Sequence, residues 1–147
     1  MASSYTHDLQ FRYRENEETF TLTLVVTAHT DGSVTNICTD DMTYMTQTVT
    51  DVLKKGFWLT AIDTIPGTGG DQPDAYTVDV FDQDAIDISM TTGNIADIAN
   101  RSQTVKERFI VSDTSGYWWE ITSALTIALS SLGASNKTTV ILSGTKG

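Results

Sequence analysis

Phe20-Thr-Leu-Thr-Leu-Val-Val-Thr-Ala28 decides the fold class. Phe20, Leu22, Leu24, Val26 and Ala28 recur at every second position against Thr21, Thr23 and Thr27, the period of a strand with one buried and one solvated face. The preceding stretch has the same period, with Tyr5, His7, Leu9, Phe11 and Tyr13 on one side and Thr6, Asp8, Gln10, Arg12 and Arg14 on the other. Glu15-Asn-Glu-Glu18 between them reads as a solvated turn, and Asp31-Gly32 beyond them is a hairpin signal. These signals predict an N-terminal β meander over residues 1–38.

The rest of the chain extends that reading. Threonine supplies 25 of 147 residues, and a β-branched side chain is disfavoured inside helices and at home on a pleated surface. Between 39 and 56, Met42, Met45, Val49, Val52 and Leu53 recur at helical spacing, with Asp40 or Asp41 as a cap and Gly56 as a stop. A short helix is expected there, with an irregular crossing loop as the competing reading. From 57 onward the expected strands are Phe57–Ile65, Tyr76–Phe81, Ile86–Met90, Val105–Val111, Tyr117–Ala124, Leu125–Leu129 and Thr139–Leu142, the last two as a closing pair, with one helical turn over Asn94–Asn100. About eight strands in one domain spanning 1–147 predict an all-β fold, an antiparallel β-sandwich or a jelly-roll-like barrel with one short helix.

Charge and composition exclude several functions. Nine Lys and Arg stand against nineteen Asp and Glu, a net charge of -10, so neither a phosphate backbone nor an anionic membrane is an expected partner. No basic leader followed by an apolar stretch opens the sequence, and a soluble chain made in a host cytoplasm is expected. Cys38 stands alone and cannot form an internal disulfide; with His7 and His29 it cannot build a four-ligand zinc site without carboxylates. Neither histidine lies at a spacing that would pair it with a nucleophile, no Gly-x-Ser-x-Gly elbow occurs, and Cys38 reads as a small apolar filler. Gly67-Thr-Gly-Gly-Asp-Gln-Pro73 lacks the Lys-Ser/Thr of a phosphate loop and precedes a strand, so it reads as a surface loop. The expectation is no enzyme, no catalytic residue and no cofactor.

Two constellations remain. Asp79, Asp82, Asp84 and Asp87 cluster at a strand end, as a calcium site needs, but the spacing is not that of an EF-hand and alternation points the acids in different directions. A solvated turn is the expected reading, and no metal is assigned. Tyr117-Trp118-Trp119, Phe57-Trp58-Leu59 and Phe109-Ile110-Val111 put large apolar groups on both faces of a strand, so both faces must be covered. Trp58, Phe109, Tyr117, Trp118 and Trp119 are the candidate protein interface, since aromatics are enriched where chains meet; the competing reading is internal, with Tyr117 and Trp119 lining the sandwich and Trp118 under a loop or helix.

The run Trp58-Leu-Thr-Ala-Ile-Asp-Thr-Ile-Pro-Gly-Thr68, then Pro73-Asp-Ala-Tyr76, then Thr77-Val-Asp-Val-Phe-Asp-Gln-Asp-Ala-Ile-Asp-Ile88, then Ala99-Asn-Arg-Ser102 resembles small structural proteins of tailed bacteriophages. Those relatives share a Thr-x-Pro-Gly strand end, a strand running into Asp-x-Asp-Gly-x-Asp, and Ala-Asn-Arg-Ser. The closing Leu125-Thr-Ile-Ala-Leu129 and Lys137-Thr-Thr-Val-Ile-Leu142 is similar to their final hairpin. The likeness spans roughly 57–147, with Ala85 standing where the relatives carry Gly. It implies a virion component on the capsid surface: a decoration or cement protein bound to the major capsid protein and self-associating, a trimer at a local three-fold axis being one form open to it. A head-tail connector or a tail or fibre subunit is the alternative. A carbohydrate-binding module stacking sugar on Trp58 or Trp118 is a further one.

Overall fold

In a computed structural model, the alternating segments pair first. Strand β1 (Ser4–Arg14) runs antiparallel to β2 (Glu17–Thr27) in unbroken register from Ser4 opposite Thr27 to Arg14 opposite Glu17. Glu15 and Asn16 between them take positive φ of 52° and 71°, the conformation that lets a two-residue turn match strand twist. The structure describes residues 2–67, 76–85, 105–108 and 119–146. The remaining strands are β3 (Ile37–Cys38), β4 (Thr43–Tyr44), β5 (Gln47–Thr48), β6 (Phe57–Pro66), β7 (Thr77–Phe81), β8 (Val105–Arg108), β9 (Trp119–Glu120), β10 (Thr126–Ser130) and β11 (Lys137–Lys146). One short helix, α1, covers Val49–Leu53.

Two antiparallel sheets make the sandwich. The larger has the order β1-β2-β11-β6-β8, with β9 also on β6; the smaller has the order β3-β10-β7. Inward residues of the large sheet, among them Phe20, Leu22, Leu24, Val26, Leu59, Ile62, Val140 and Leu142, meet Ile37, Val78, Val80, Ile127 and Leu129 of the small one in a single buried cluster. An aromatic group closes one end, where the Phe57 ring lies 5.5 Å from both Phe11 and Phe20 and the Lys146 ammonium sits 5.7 Å from its centroid.

The topology corrects two local expectations. The N-terminal meander stops after two strands. Around Asp31-Gly32 the chain makes a local turn, with Gly32 N–H donating to the His29 carbonyl (2.9 Å) and Gly32 at φ 89°, and then enters β3 in the other sheet. The free side of β2 is taken by β11 instead. Nor do the last two strands pair with each other: β10 bonds to β3 and β7, and β11 bonds to β2 and β6. Each sheet can bury only one face on its own, and the sandwich hides both inner faces by sending consecutive strands to opposite layers.

Residues 39–56 combine both readings offered for them. Thr39–Asp41 is a 3-10 turn, β4 and β5 form a hairpin, and only Val49–Leu53 is α-helical. Met45 belongs to no helical stripe: it sits at the hairpin tip with φ 56° and 85% exposure. The cap is Thr48, whose hydroxyl oxygen accepts the Asp51 N–H at 3.1 Å, rather than Asp40 or Asp41. Gly56 ends the segment at φ 106°, as its position predicts. Buried polar groups are tied locally: the Thr39 and Thr50 hydroxyls lie 2.6 Å apart, and Thr39 Oγ1 accepts the Leu125 N–H at 3.0 Å.

Strand β6 explains the two-faced sequence around Trp58. Its register with β11 jumps from Ala61 opposite Ser143 to Leu59 opposite Gly144, leaving Thr60 as an extra residue in a β-bulge. The bulge inverts the alternation, so Phe57 and Leu59 before it and Ile62 and Thr64 after it face the core, while Trp58, Ala61 and Asp63 share the outer face. A Cβ on Gly144 would collide with the Trp58 carbonyl oxygen and the Phe20 ring, so glycine is required where the bulge crosses β11.

Candidate functional site

Of the aromatic residues singled out from the sequence, the two described, Trp58 and Trp119, do not lie together. Trp119 is half-buried, lies opposite Leu59 and packs on the core. Trp58 is half-buried on the outer face, opposite Thr145 of β11 and Glu120 of β9. The bulge and register put these two rings on opposite faces of the large sheet. Phe109, Tyr117 and Trp118 lie outside the described residues, as do the strand expected over 86–90 and the helical turn over 94–100.

The acidic cluster is a turn. Asp82 Oδ1 accepts the Asp84 N–H at 2.9 Å and the Asp82 carbonyl accepts the Ala85 N–H at 3.1 Å, which closes the end of β7. Ala85 adopts φ 61°, the left-handed conformation for which glycine carries no penalty. Asp79 is half-buried on β7, Asp84 is exposed, and Asp87 lies outside the described residues. Among the described residues no three His, Cys, Asp or Glu side chains gather as metal ligands.

The histidines are separated as well. His7 Nε2 donates to the Thr43 carbonyl at 3.0 Å, tying β1 to the β4–β5 hairpin. His29 Nδ1 lies 3.1 Å from Asp31 in the turn between the layers. Cys38 is half-buried on β3. Its proximity and that of Asp41 add to burial in raising the Tyr5 phenol above its ordinary value. A cleft of about 530 Å³ opens beside this turn, lined by Asp31, Gly32, Ser33, Val34, Ser130 and Gly133. Its one carboxylate is held by the Ser33 hydroxyl (2.6 Å) and N–H (2.9 Å), which bring Asp31 down to about 2 with help from His29. A carboxyl so held is a poor proton acceptor.

The outer face of the large sheet is a broad surface on β1, β2 and β11. Its rows run across four strands: Thr6, Val25, Thr139 and Ile65; then Asp8, Thr23, Ile141 and Asp63; then Gln10, Thr21, Ser143 and Ala61; then Arg12, Thr19, Thr145 and Trp58. On the two central strands, from Thr19 and Thr145 to Val25 and Thr139, no side chain on this face is charged. Val25 and Ile65, flanking Thr139 in one row, are 41% and 37% exposed. Charge lies at the margins, on exposed Asp8 and Arg12 of β1, on Glu120 of β9 beside Trp58, and on Asp63 of β6, which is buried together with Ala61, so that β6 adds Trp58 and Ile65 to the accessible part of this face. Sequence reading took these threonines as an ordinary solvated face; the missed signal is that no Lys or Glu interrupts them in so acidic a chain. The chain matches no protein-family model, no curated protein and no solved structure.

Proposed function

We propose that this chain is a non-enzymatic structural protein of a tailed-bacteriophage virion, a decoration or cement protein that seats the outer face of its large sheet on the major capsid protein lattice. The observation that carries the reading is the uncharged threonine face in a chain of net charge -10. Docking a face of Lys and Glu costs desolvation and the entropy of long side chains, whereas Thr, Val and Ile lose little rotamer freedom and offer methyl and hydroxyl contacts together. Such a face suits a broad, shallow contact with another protein. The surrounding acidity keeps the molecule off nucleic acid and suits a position outside the DNA-filled shell. The resemblance of roughly 57–147 to structural proteins of tailed phages is the ground for taking the partner protein to be a capsid lattice.

The test is reconstitution. Particles from a phage lacking this gene, mixed with the purified protein and imaged by cryo-electron microscopy, should acquire copies across the whole head. Thr21→Lys and Thr23→Glu should fold normally and bind at least about tenfold more weakly, because each buries an unpaired charge in the contact. Density confined to one ring at the portal would replace this reading with the connector role. Particles that bind nothing would end it.

A further inference from the structure

The first strand carries an observation independent of the capsid reading. β1 is the outermost strand of the large sheet, and among the described residues its backbone pairs with β2 and no other strand. The two-residue turn makes Arg14 and Glu17 a hydrogen-bonded pair, so even-numbered residues aim their backbone groups at β2. The N–H and C=O groups of His7, Leu9, Phe11 and Tyr13 therefore point out of the sheet. Edges of this length are ordinarily guarded by Pro, charged side chains, a bulge or an inward charge. β1 runs for 11 residues without Pro, Lys, bulge or inward charge, and the charges it does carry, Asp8, Arg12 and Arg14, are of both signs.

We propose that β1 pairs antiparallel with β1 of a second copy, about a two-fold axis through Gln10, joining two large sheets into one. Of the two-fold registers this parity allows, the one centred on Gln10 sets Asp8 of each copy opposite Arg12 of the other, two attractive pairs on one face. Centring on Leu9 sets Asp8 against Gln10 and leaves Arg12 against Thr6. Centring on Phe11 brings Asp8 to Arg14 but shortens the paired segment from residues 6–14 to 8–14. The Gln10 register also lays Phe11 beside Leu9 of the other copy and Tyr13 beside His7. It thereby covers the Tyr13 ring, which is 73% exposed in one copy alone. Asp8 is already oriented on that face, accepting the Gln10 side-chain N–H at 2.8 Å.

Light scattering and sedimentation of the full chain test this. The wild type should have twice the 16.1 kDa monomer mass at micromolar concentration. Asp8→Arg and Arg12→Asp should each raise the dissociation constant about tenfold or more by setting like charges opposite each other. The double variant, with the charges exchanged, should return to the dimer. Both positions are exposed, and circular dichroism checks that each variant stays folded. In a Cys38→Ala background, Gln10→Cys should cross-link to itself under mild oxidation, because a non-hydrogen-bonded pair holds its Cα atoms within disulfide reach. A monomer up to about 100 μM, a trimer, or a dimer indifferent to Asp8→Arg and unlinked by Gln10→Cys would each overturn the proposal.

Discussion

Thr64 is 1% exposed, and its hydroxyl has no hydrogen-bond partner among the described residues. A buried unpaired hydroxyl costs about 1–3 kcal/mol, and valine keeps the branched shape without it. Thr64→Val should therefore stabilise the protein by about 1 kcal/mol, read as a higher urea midpoint at unchanged slope. The hydroxyl of Thr138 in the next strand is fully used: it donates to the Ile65 carbonyl (3.1 Å) and accepts from the buried Tyr76 hydroxyl (2.9 Å). The two threonines look alike in the sequence, and only the partners brought by other strands tell them apart. Asp31 is a residue whose protonation the structure shifts well below its ordinary value. Its carboxyl, held at about 2 instead of 3.8 by the Ser33 hydroxyl and N–H and then by His29, binds a proton less readily folded than unfolded. It supports the turn above its unfolded value and loses that support as pH falls through about 2. NMR titration of the Asp31 carboxyl should give that low midpoint, and Ser33→Ala should move it toward 3.8; a wild-type midpoint already at 3.8 would refute the assignment.

At the scale of elements, the bulge in β6 is the feature alternation could not reveal. Ala61, Ile62, Asp63 and Thr64 are buried in succession, and the sequence reading that both faces of this strand are covered holds. Thr60, an extra residue, reverses inside and outside halfway along, which no single-strand pattern announces, and beyond it the outward Ala61 and Asp63 are buried as well as the inward Ile62 and Thr64. Gly144 is where the partner strand accommodates the reversal. Gly144→Ala should cost about 2 kcal/mol or more, since a methyl there meets backbone that cannot swing away, and thermal unfolding would show it as a lowered midpoint. By contrast, β1, β2 and the core of β11 were legible in outline, because each keeps one clean period from end to end. Met42 and Met45 misled, as helical spacing over a few residues is also met by a tight hairpin whose tip points to water.

For the whole molecule, the all-β sandwich with one short helix follows from period and threonine content, but which strand joins which sheet does not. Pairings such as Val140 with Leu24 and Ile62 with Leu142 join segments far apart in the chain, and nothing local specifies them. The uncharged outer face, proposed above as the docking surface, was obscured for the same reason. Thr19, Thr21 and Thr23 form a surface only when Thr139, Ser143 and Thr145 come to lie beside them. Of the ring-bearing residues chosen by size, the two described divide once the strands take their places, Trp119 on the core and Trp58 on the outer face.

The position of β11 between β2 and β6 has a consequence for biosynthesis. The first hairpin emerges from the ribosome with Phe20, Leu22, Leu24 and Val26 facing nothing, and an isolated hairpin is marginal in water. Its neighbour arrives only when residues 137–146 have been translated, a delay on the order of ten seconds at roughly 5–20 residues per second. During that interval the nascent chain displays a greasy, strand-shaped surface, the kind of target that holding chaperones bind.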